Sequence, residues 1–217
     1  MAQIVPTILT DNEFEYHRRL LAAEHVSDLI QVDVIDGKFA NNFTVGVEVI
    51  KRYPSSSNLE IQLMVVYPQN YIDDLMFVEH VSRIIVPFEI DADVASAIYH
   101  IKNHNKQVGL SLNVQTPVAA ALHFLDDVDF VLLLGVEPGF SGQKFQEKVI
   151  DKVCDVKKLS PGMAVEVDGG VNFENVALLA DAGADFLAVN SALYNAVDFQ
   201  VAYEKLSSLA SKRDHPL

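Results

Sequence analysis

The stretch that decides the fold is Leu29–Val34 (LIQVDV), followed by a segment of helical period at Val45–Tyr53 and by a second apolar run at Leu59–Val65. A short run rich in β-branched residues predicts a strand, and apolar residues that recur every three or four positions predict a helix. Two apolar strands joined through a helix predict a parallel pair that is covered on both faces. This stretch therefore predicts one strand–helix–strand unit of a parallel sheet.

The same alternation extends from one end of the chain to the other. The remaining predicted strands are Ile4–Leu9, Arg83–Pro87, Val108–Asn113, Phe130–Leu134, Ala164–Val167 and Phe186–Val189. The remaining predicted helices are Glu13–Glu24, Gln69–Phe77, Val94–Asn103, Pro117–Leu125, Lys144–Lys157, Glu174–Ala182 and Val197–Ser211. Asn172 and Gly183 are expected to cap the seventh helix at its two ends. Eight pairs in 217 residues predict an α/β fold, a (β/α)₈ TIM barrel, with an open doubly wound sheet as the competing fold.

Composition limits the organisation and the compartment. No linker divides the chain, so residues 1–217 are predicted to form a single domain with a polar tail at about 211–217. The single cysteine, Cys154, excludes an internal disulfide and suits a reducing compartment. The sequence has no apolar run of membrane-spanning length and no secretory signal pattern, so a cytoplasmic location is expected.

Charge limits the partners. Sixteen Lys and Arg residues against thirty Asp and Glu residues give a net charge of −14. A surface with this excess of negative charge repels phosphate backbones and anionic lipids, so nucleic acid and membrane surfaces are not expected as partners. An anionic metabolite would need a locally positive pocket or one built from backbone N–H groups.

Polar residues in or directly after four of the predicted strands stand out, because a barrel places its ligand site at the carboxyl ends of its strands. They are Thr7, Gln31, Asp33, Gln62, Glu166 and Asp168. Side chains alternate along a strand, so Gln31 and Asp33 share one face, which should be the barrel interior. A buried carboxylate is costly unless it is paired, hydrogen-bonded or coordinated. Asp33 and Asp168 could each bond a neighbouring loop, but together at one mouth they favour proton exchange between two bases.

Glycine positions give a second signal. Three predicted strands are followed by short loops, and these contain Gly139, Phe140, Ser141 and Gly142, then Gly169 and Gly170, then Asn190 and Ser191. Phosphate sites of this fold are built by the loops after the seventh and eighth strands. The loops could also be simple turns, but three adjacent loops of this kind favour an anion site.

Other chemistries lack their residues. No lysine lies inside a predicted strand, which disfavours a Schiff-base aldolase. No histidine marks the end of a strand, which disfavours a Ser/His/Asp triad and a histidine-rich zinc site. The sequence also lacks a dinucleotide fingerprint and a Walker loop.

Five segments, in chain order, resemble the ribulose-phosphate 3-epimerase family. They are PTIL at 6–9, VDVIDGKF at 32–39, QLMV at 62–65, EPGFSGQKF at 137–145 and VDGGV at 167–171. The resemblance implies a barrel that interconverts D-ribulose 5-phosphate and D-xylulose 5-phosphate in the pentose phosphate pathway. It also implies that Asp33 and Asp168 move the C3 proton and that the glycine loops hold the phosphate.

The resemblance implies a divalent cation held by two histidines and two aspartates, and here the sequence departs from the family. Gln31 and Gln62 stand at the histidine positions, so the ligands that the resemblance implies here are Asp33 and Asp168 with these two amides. Amide oxygens are hard donors, which makes Mg²⁺, Mn²⁺ or no cation more plausible than Zn²⁺. Thr7 stands for the family's serine, and Met64 is kept.

Three functional interpretations stay open. The chain is an active epimerase in which Gln31 and Gln62 ligate a hard cation or donate hydrogen bonds to the enediolate. Alternatively it binds a sugar phosphate with little or no turnover. It could also act on another ketose phosphate, such as allulose 6-phosphate. The resemblance further implies a homo-oligomer.

Overall fold

Residues 1–211, which the computed structural model describes, contain eight parallel strands that close into a barrel in chain order. The strands are β1 (Gln3–Ile8), β2 (Leu29–Ile35), β3 (Asn58–Met64), β4 (Val81–Pro87), β5 (Gln107–Leu112), β6 (Phe130–Leu134), β7 (Ala164–Asp168) and β8 (Phe186–Val189). Closure comes from the pairing of β8 with β1, in which Ile4 lies beside Leu187. The predicted (β/α)₈ barrel is confirmed, and this pairing excludes an open doubly wound sheet.

Helices surround the barrel. They are α1 (Glu13–Glu24), α2 (Val47–Arg52), α3 (Gln69–Leu75), α4 (Val94–Asn103), α5 (Lys148–Leu159), α6 (Val176–Ala182), α7 (Ser191–Tyr194) and α8 (Phe199–Ser211). Strand β2 shows how they are anchored: Ile30, Val32 and Val34 belong to the hydrophobic core, whereas Gln31 and Asp33 alternate with them on the other face. The outer faces of the strands thus bury apolar side chains under the helices, and the inner faces are free to carry the site.

Three helical predictions need correction. The predicted helix Pro117–Leu125 is a 3₁₀ helix, Val118–Phe124. Its N–H groups bond three residues back, as Ala120 does to Pro117, which suits a short segment. The predicted helix Val197–Ser211 begins at Phe199 and is preceded by the separate α7. The predicted helix Lys144–Lys157 begins at Lys148, because the residues before it belong to a loop at the barrel mouth.

Asn172 does not cap α6, contrary to the prediction. The residue at the N-cap is Asn175, and its side chain makes no capping bond. Asn172 Oδ1 accepts a hydrogen bond from Glu174 N at 2.8 Å, and Asn175 Oδ1 accepts one from Asn172 N at 2.8 Å. The two asparagines therefore order the turn ahead of the helix. Gly183 ends α6 with φ of +109°, as predicted.

Two predictions concern the chain as a whole. The polar tail expected at about 211–217 lies outside the described residues, apart from Ser211 at the end of α8. Within residues 1–211, no helix combines the length and the hydrophobicity that crossing a lipid bilayer requires.

Candidate active site

Four polar side chains converge inside the barrel at the carboxyl ends of β2, β3 and β7. Asp33 is the register partner of Gln62 on the neighbouring strand. One terminal atom of the Gln62 carboxamide lies 2.9 Å from Asp33 Oδ1 and 2.9 Å from Asp168 Oδ2. Gln31 Nε2 donates a hydrogen bond to Asp33 Oδ1 at 2.7 Å. Two aspartates that are far apart in the sequence therefore flank one amide.

The Gln62 carboxamide can contact the aspartates in either of its two orientations. Each orientation matches a different number of protons on Asp33 and Asp168. With its nitrogen towards the aspartates it can donate to both carboxylates, as two ionised groups require, but it then faces Gln31 Nε2 at 2.8 Å, so this orientation requires the Gln31 amide to turn as well. With its oxygen there it accepts from Gln31 Nε2 at 2.8 Å and can accept from a protonated Asp168. In both orientations the amide lies between Asp33 and Asp168.

Burial weakens the acidity of both aspartates. Asp33 is 3% exposed and Asp168 is 9% exposed. Loss of water raises the pKa of Asp33 well above its usual range, and the charge of Asp168 raises it further. Burial also raises the pKa of Asp168 to about 7, although hydrogen bonds from Gln31 and from the Gly169 N–H favour its ionised form. The pair therefore holds a proton near neutral pH.

A second polar layer lies inside the barrel, formed by Glu60 on β3 and Glu166 on β7. Both are 0% exposed. Arg83 Nη1 lies 3.3 Å from Glu60 Oε2, and a protonated Glu166 can donate a hydrogen bond to Glu60. Burial raises the pKa of each glutamate, so the layer carries less than its full negative charge. Sequence reasoning missed Glu60 and Arg83, although Glu60 shares its strand face with Gln62 and could have been found from that spacing.

Asp33 and Asp168 line a cavity at this end of the barrel. The other predicted site residues that line it are Thr7, Met64, Gly139, Phe140, Ser141, Gly142, Gly169, Gly170, Asn190 and Ser191. Gln31 and Gln62 do not line it, since both are fully buried in contact with the aspartates. The remaining lining residues, which are not among the predicted site residues, are Leu9, Leu134, Val136, Glu137, Pro138, Val171 and Ala188.

The loops around the cavity depend on glycine. Gly169 and Gly170 have φ of +99° and +73°, a region that other residues rarely adopt. A Cβ atom on Gly170 would also lie 3.0 Å from the backbone of Phe145. Within residues 1–211, the N–H groups of Gly142, Gly170 and Ser191 donate no hydrogen bond to backbone or side chain. Free N–H groups of this kind can bind an anion without a charged side chain.

Two side chains that the sequence did not reveal hold the loops over the cavity. Asn42 Nδ2, in the loop after β2, donates to Gly139 O at 2.6 Å. Gln143 Nε2 donates to Glu137 O at 2.7 Å and to Phe140 O at 2.9 Å. Gln143 lies in one of the segments that resemble the family. The contact of Asn42 with Gly139 joins residues 97 positions apart, and no sequence pattern predicts it.

The divalent cation that the resemblance implies does not fit these residues. Gln31 directs its Nε2 at Asp33, and an amide nitrogen that carries hydrogens is not a metal ligand. The Gln62 amide lies in direct contact with both carboxylates, where a cation shared by Asp33 and Asp168 would have to bind. Elsewhere in residues 1–211, no group of three or more His, Cys, Asp or Glu side chains is arranged to hold a metal ion.

Known sequences match the chain over almost its full length. The model of the Ribulose-phosphate 3 epimerase family matches residues 3–194. The ribulose-phosphate 3-epimerase of Bacillus subtilis (strain 168) is 34% identical over 215 residues, which cover 95% of this chain and 98% of that protein. The chloroplastic ribulose-5-phosphate-3-epimerase of Arabidopsis thaliana is also 34% identical, over 97% of this chain and 77% of that protein.

Solved structures share the fold at lower identity. KGPDC from Streptococcus mutans has a TM-score of 0.75 at 14% identity and covers 96% of this chain and 97% of its own. The 3-hexulose-6-phosphate synthase from Salmonella typhimurium has a TM-score of 0.72 at 19% identity, over 96% and 98%. At this level of identity, these structures support only the barrel fold. The family match and the two relatives at 34% identity show more: the chain belongs to the ribulose-phosphate 3-epimerase family.

Proposed function

We propose that the chain is an isomerase that interconverts D-ribulose 5-phosphate and D-xylulose 5-phosphate. The observation that carries this proposal is the convergence of Asp33 and Asp168 on one cavity, each 2.9 Å from the same atom of Gln62. Inversion at a carbon beside a ketone needs a base on one face of that carbon and an acid on the other. The two aspartates supply these groups, and membership of the family supports the choice of substrate.

The proposed reaction moves one proton off C3 and another one on. The C3 proton is acidic because the neighbouring C2 ketone accepts the electron pair as an enediolate forms. One aspartate removes this proton in its ionised form, and the protonated aspartate returns a proton to C3 from the opposite face. The raised pKa values of Asp33 and Asp168 support a pair that holds a single proton at neutral pH. The reverse reaction uses the same two groups with their roles exchanged.

The substrate phosphate is proposed to bind at the loops after β6, β7 and β8. A net charge of −14 repels an anion at long range, so binding has to rely on local donors. The free N–H groups of Gly142, Gly170 and Ser191 are such donors, and all three residues line the cavity that Asp33 and Asp168 reach. The loops and the aspartates would thus hold the two ends of one small molecule.

Two other functions are kept as alternatives. Gln31 and Gln62 stand at positions where the resemblance implies histidine, and this difference favours a barrel that binds a sugar phosphate with little turnover. Another ketose phosphate, such as allulose 6-phosphate, would use the same acid–base chemistry.

NMR of each candidate sugar in H₂O tests these functions together. The proposal expects the 3-epimer of D-ribulose 5-phosphate to form faster than that of allulose 6-phosphate. Saturable binding of both sugars without any epimer would instead support the binding barrel. Faster conversion of allulose 6-phosphate would reassign the substrate.

A cytoplasmic location and a homo-oligomeric state stay predictions. The first is argued from the single cysteine, Cys154, and the second from the resemblance to the family. Light scattering of the purified chain measures the second directly, with a mass above the 24.0 kDa of one chain as the expected result.

A further inference from the structure

We infer that the carboxamide of Gln62 occupies the position that a cation shared by Asp33 and Asp168 would need, and that this chain holds its two carboxylates together with an amide instead of a metal ion. The inference rests on the proposed function only for its catalytic meaning. Its structural basis is the contact of one Gln62 atom with Asp33 Oδ1 and Asp168 Oδ2, at 2.9 Å each.

The surroundings of Gln62 favour an amide over a cation. Gln62 is 0% exposed, and so is Gln31 beside it. Gln31 Nε2 lies 2.7 Å from Asp33 Oδ1 and 2.8 Å from the Gln62 terminal atom, so the two amide groups already fill the space beside Asp33 Oδ1. A cation at this point would displace the Gln62 carboxamide and would face the N–H group of Gln31, which carries partial positive charge.

Gln62 holds the carboxyl groups of Asp33 and Asp168 at a fixed separation. Two buried carboxyl groups that face one cavity repel each other when both are ionised. An amide can donate to ionised carboxylates or accept from a protonated one, so the two orientations of the Gln62 side chain serve both states of the pair. Gln62 is therefore a positioning residue, which fixes the separation of the acid and the base without touching the substrate.

Titration with Mn²⁺ tests this inference without reference to activity. The purified chain is dialysed against a chelator, and free Mn²⁺ is then followed by electron paramagnetic resonance at high ionic strength, which weakens binding to the acidic surface. We expect the wild-type chain to bind no more Mn²⁺ than its Asp168→Asn variant. One Mn²⁺ per chain that binds to the wild type and is lost in Asp168→Asn would overturn the inference.

The double variant Gln31→His/Gln62→His makes the test sharper. It replaces both amides by imidazoles and leaves Asp33 and Asp168 to complete a set of four ligands. Substituting a residue that only hydrogen-bonds to a metal ligand changes metal affinity by roughly 10–100-fold. Exchanging two of the ligands themselves should therefore raise the affinity for Mn²⁺ by more than ~100-fold. A double variant that folds and gains no Mn²⁺ site would contradict the inference, because the amides would then not be what excludes the cation.

A matched control adds two imidazoles elsewhere. Gln115→His/Gln200→His changes two exposed glutamines on separate parts of the barrel, and it should gain no site that depends on Asp168. Circular dichroism checks that each variant is folded, and the comparison of wild type with Asp168→Asn decides the question even if the double variant unfolds.

Failure of this inference is distinguishable from failure of the proposed function. A wild-type chain that epimerises the sugar but binds Mn²⁺ through Asp168 keeps the function and loses the inference. A chain that neither epimerises nor binds Mn²⁺ loses the function and keeps the inference. The expected result is epimerisation whose rate is unchanged after dialysis against the chelator.

Discussion

The proposed reaction depends on two residues, Asp33 and Asp168, being in different protonation states at the same pH. Both are buried, and burial raises the pKa of Asp168 to about 7 and the pKa of Asp33 well above its usual range. An acid and a base with pKa values near the working pH transfer protons most efficiently in both directions. Burial in one barrel interior thus gives two identical side chains two complementary roles.

Removing either aspartate should block epimerisation while leaving exchange of the C3 proton on one face of the sugar. Asp33→Asn and Asp168→Asn should each lower the rate of epimerisation by at least ~10²-fold, the lower limit for general acid–base catalysis. Each variant keeps one base, so solvent deuterium should still enter C3 of the single epimer whose C3–H faces that base. NMR of both epimers in D₂O, measured for each variant, gives the pattern.

The two variants should show opposite epimer preferences in that measurement. Binding of the sugar phosphate should persist in both, because the phosphate loops are unchanged, and this controls for misfolding. Epimerisation at the wild-type rate in either variant would remove that aspartate from the mechanism.

At the scale of elements, the phosphate loops combine a special backbone conformation with close packing. Gly170 follows β7 at φ of +73°, and an added Cβ atom would lie 3.0 Å from the Phe145 backbone. Gly170→Ala should therefore lower the free energy of unfolding by ~1–3 kcal/mol, the usual cost of such strain, and should weaken sugar-phosphate binding. Chemical denaturation and calorimetry measure the two effects.

Gly162→Ala is the matched control for this change. Gly162 is exposed, and an added Cβ atom would meet no atom within 4 Å. Its effect on the free energy of unfolding should stay within ~0.5 kcal/mol, as for most surface substitutions. Equal effects of the two variants would show that the Gly170 conformation is not what the loop requires.

Helix α5 carries a buried lysine that makes stability depend on pH. Lys152 Nζ donates to Asn113 O at 2.7 Å, and burial lowers the pKa of this ammonium from 10.5 to about 8. Between pH 8 and pH 10.5 the folded chain has released this proton and the unfolded chain still holds it. Raising the pH through this window therefore increases the free energy of unfolding. Below about pH 8 the ammonium is charged in the folded chain, and its burial destabilises the fold by the full amount.

Comparison with Lys152→Met isolates that contribution. The free energy of unfolding of the wild type should rise relative to that of Lys152→Met as the pH increases from 8 to 10.5. Urea denaturation at each pH measures this difference. Lys158→Met, on the same helix at a side chain that is 75% exposed, should show no such rise. A difference between wild type and Lys152→Met that does not change with pH would contradict the predicted shift.

At the scale of the whole molecule, the fold was predictable because the alternation of apolar runs and helical segments is continuous along the chain. The shared face of Gln31 and Asp33 was predictable from the strand period alone. The contacts of Gln62 with Asp33 and Asp168 were not, because they depend on how far neighbouring strands are staggered when the barrel closes. The brace from Asn42 to Gly139 was not predictable either, since it joins loops of unrelated sequence.

Barrel closure is what brings the two aspartates together. Asp33 lies in the second strand and Asp168 in the seventh, and β1 and β8 separate them along the closed sheet. In an open sheet with the strands in chain order, the same residues would lie five strands apart and could not share one amide. The proposed function is therefore a consequence of the whole barrel, and the strand sequences on their own do not provide it.

The most direct test of two-aspartate epimerisation is NMR of D-ribulose 5-phosphate with the wild-type chain in D₂O. The account predicts that deuterium replaces hydrogen at C3 while D-xylulose 5-phosphate forms, since both products come from the same proton transfers. Formation of the epimer with its original C3 hydrogen fully retained, or no deuterium at C3 after long incubation, would contradict it.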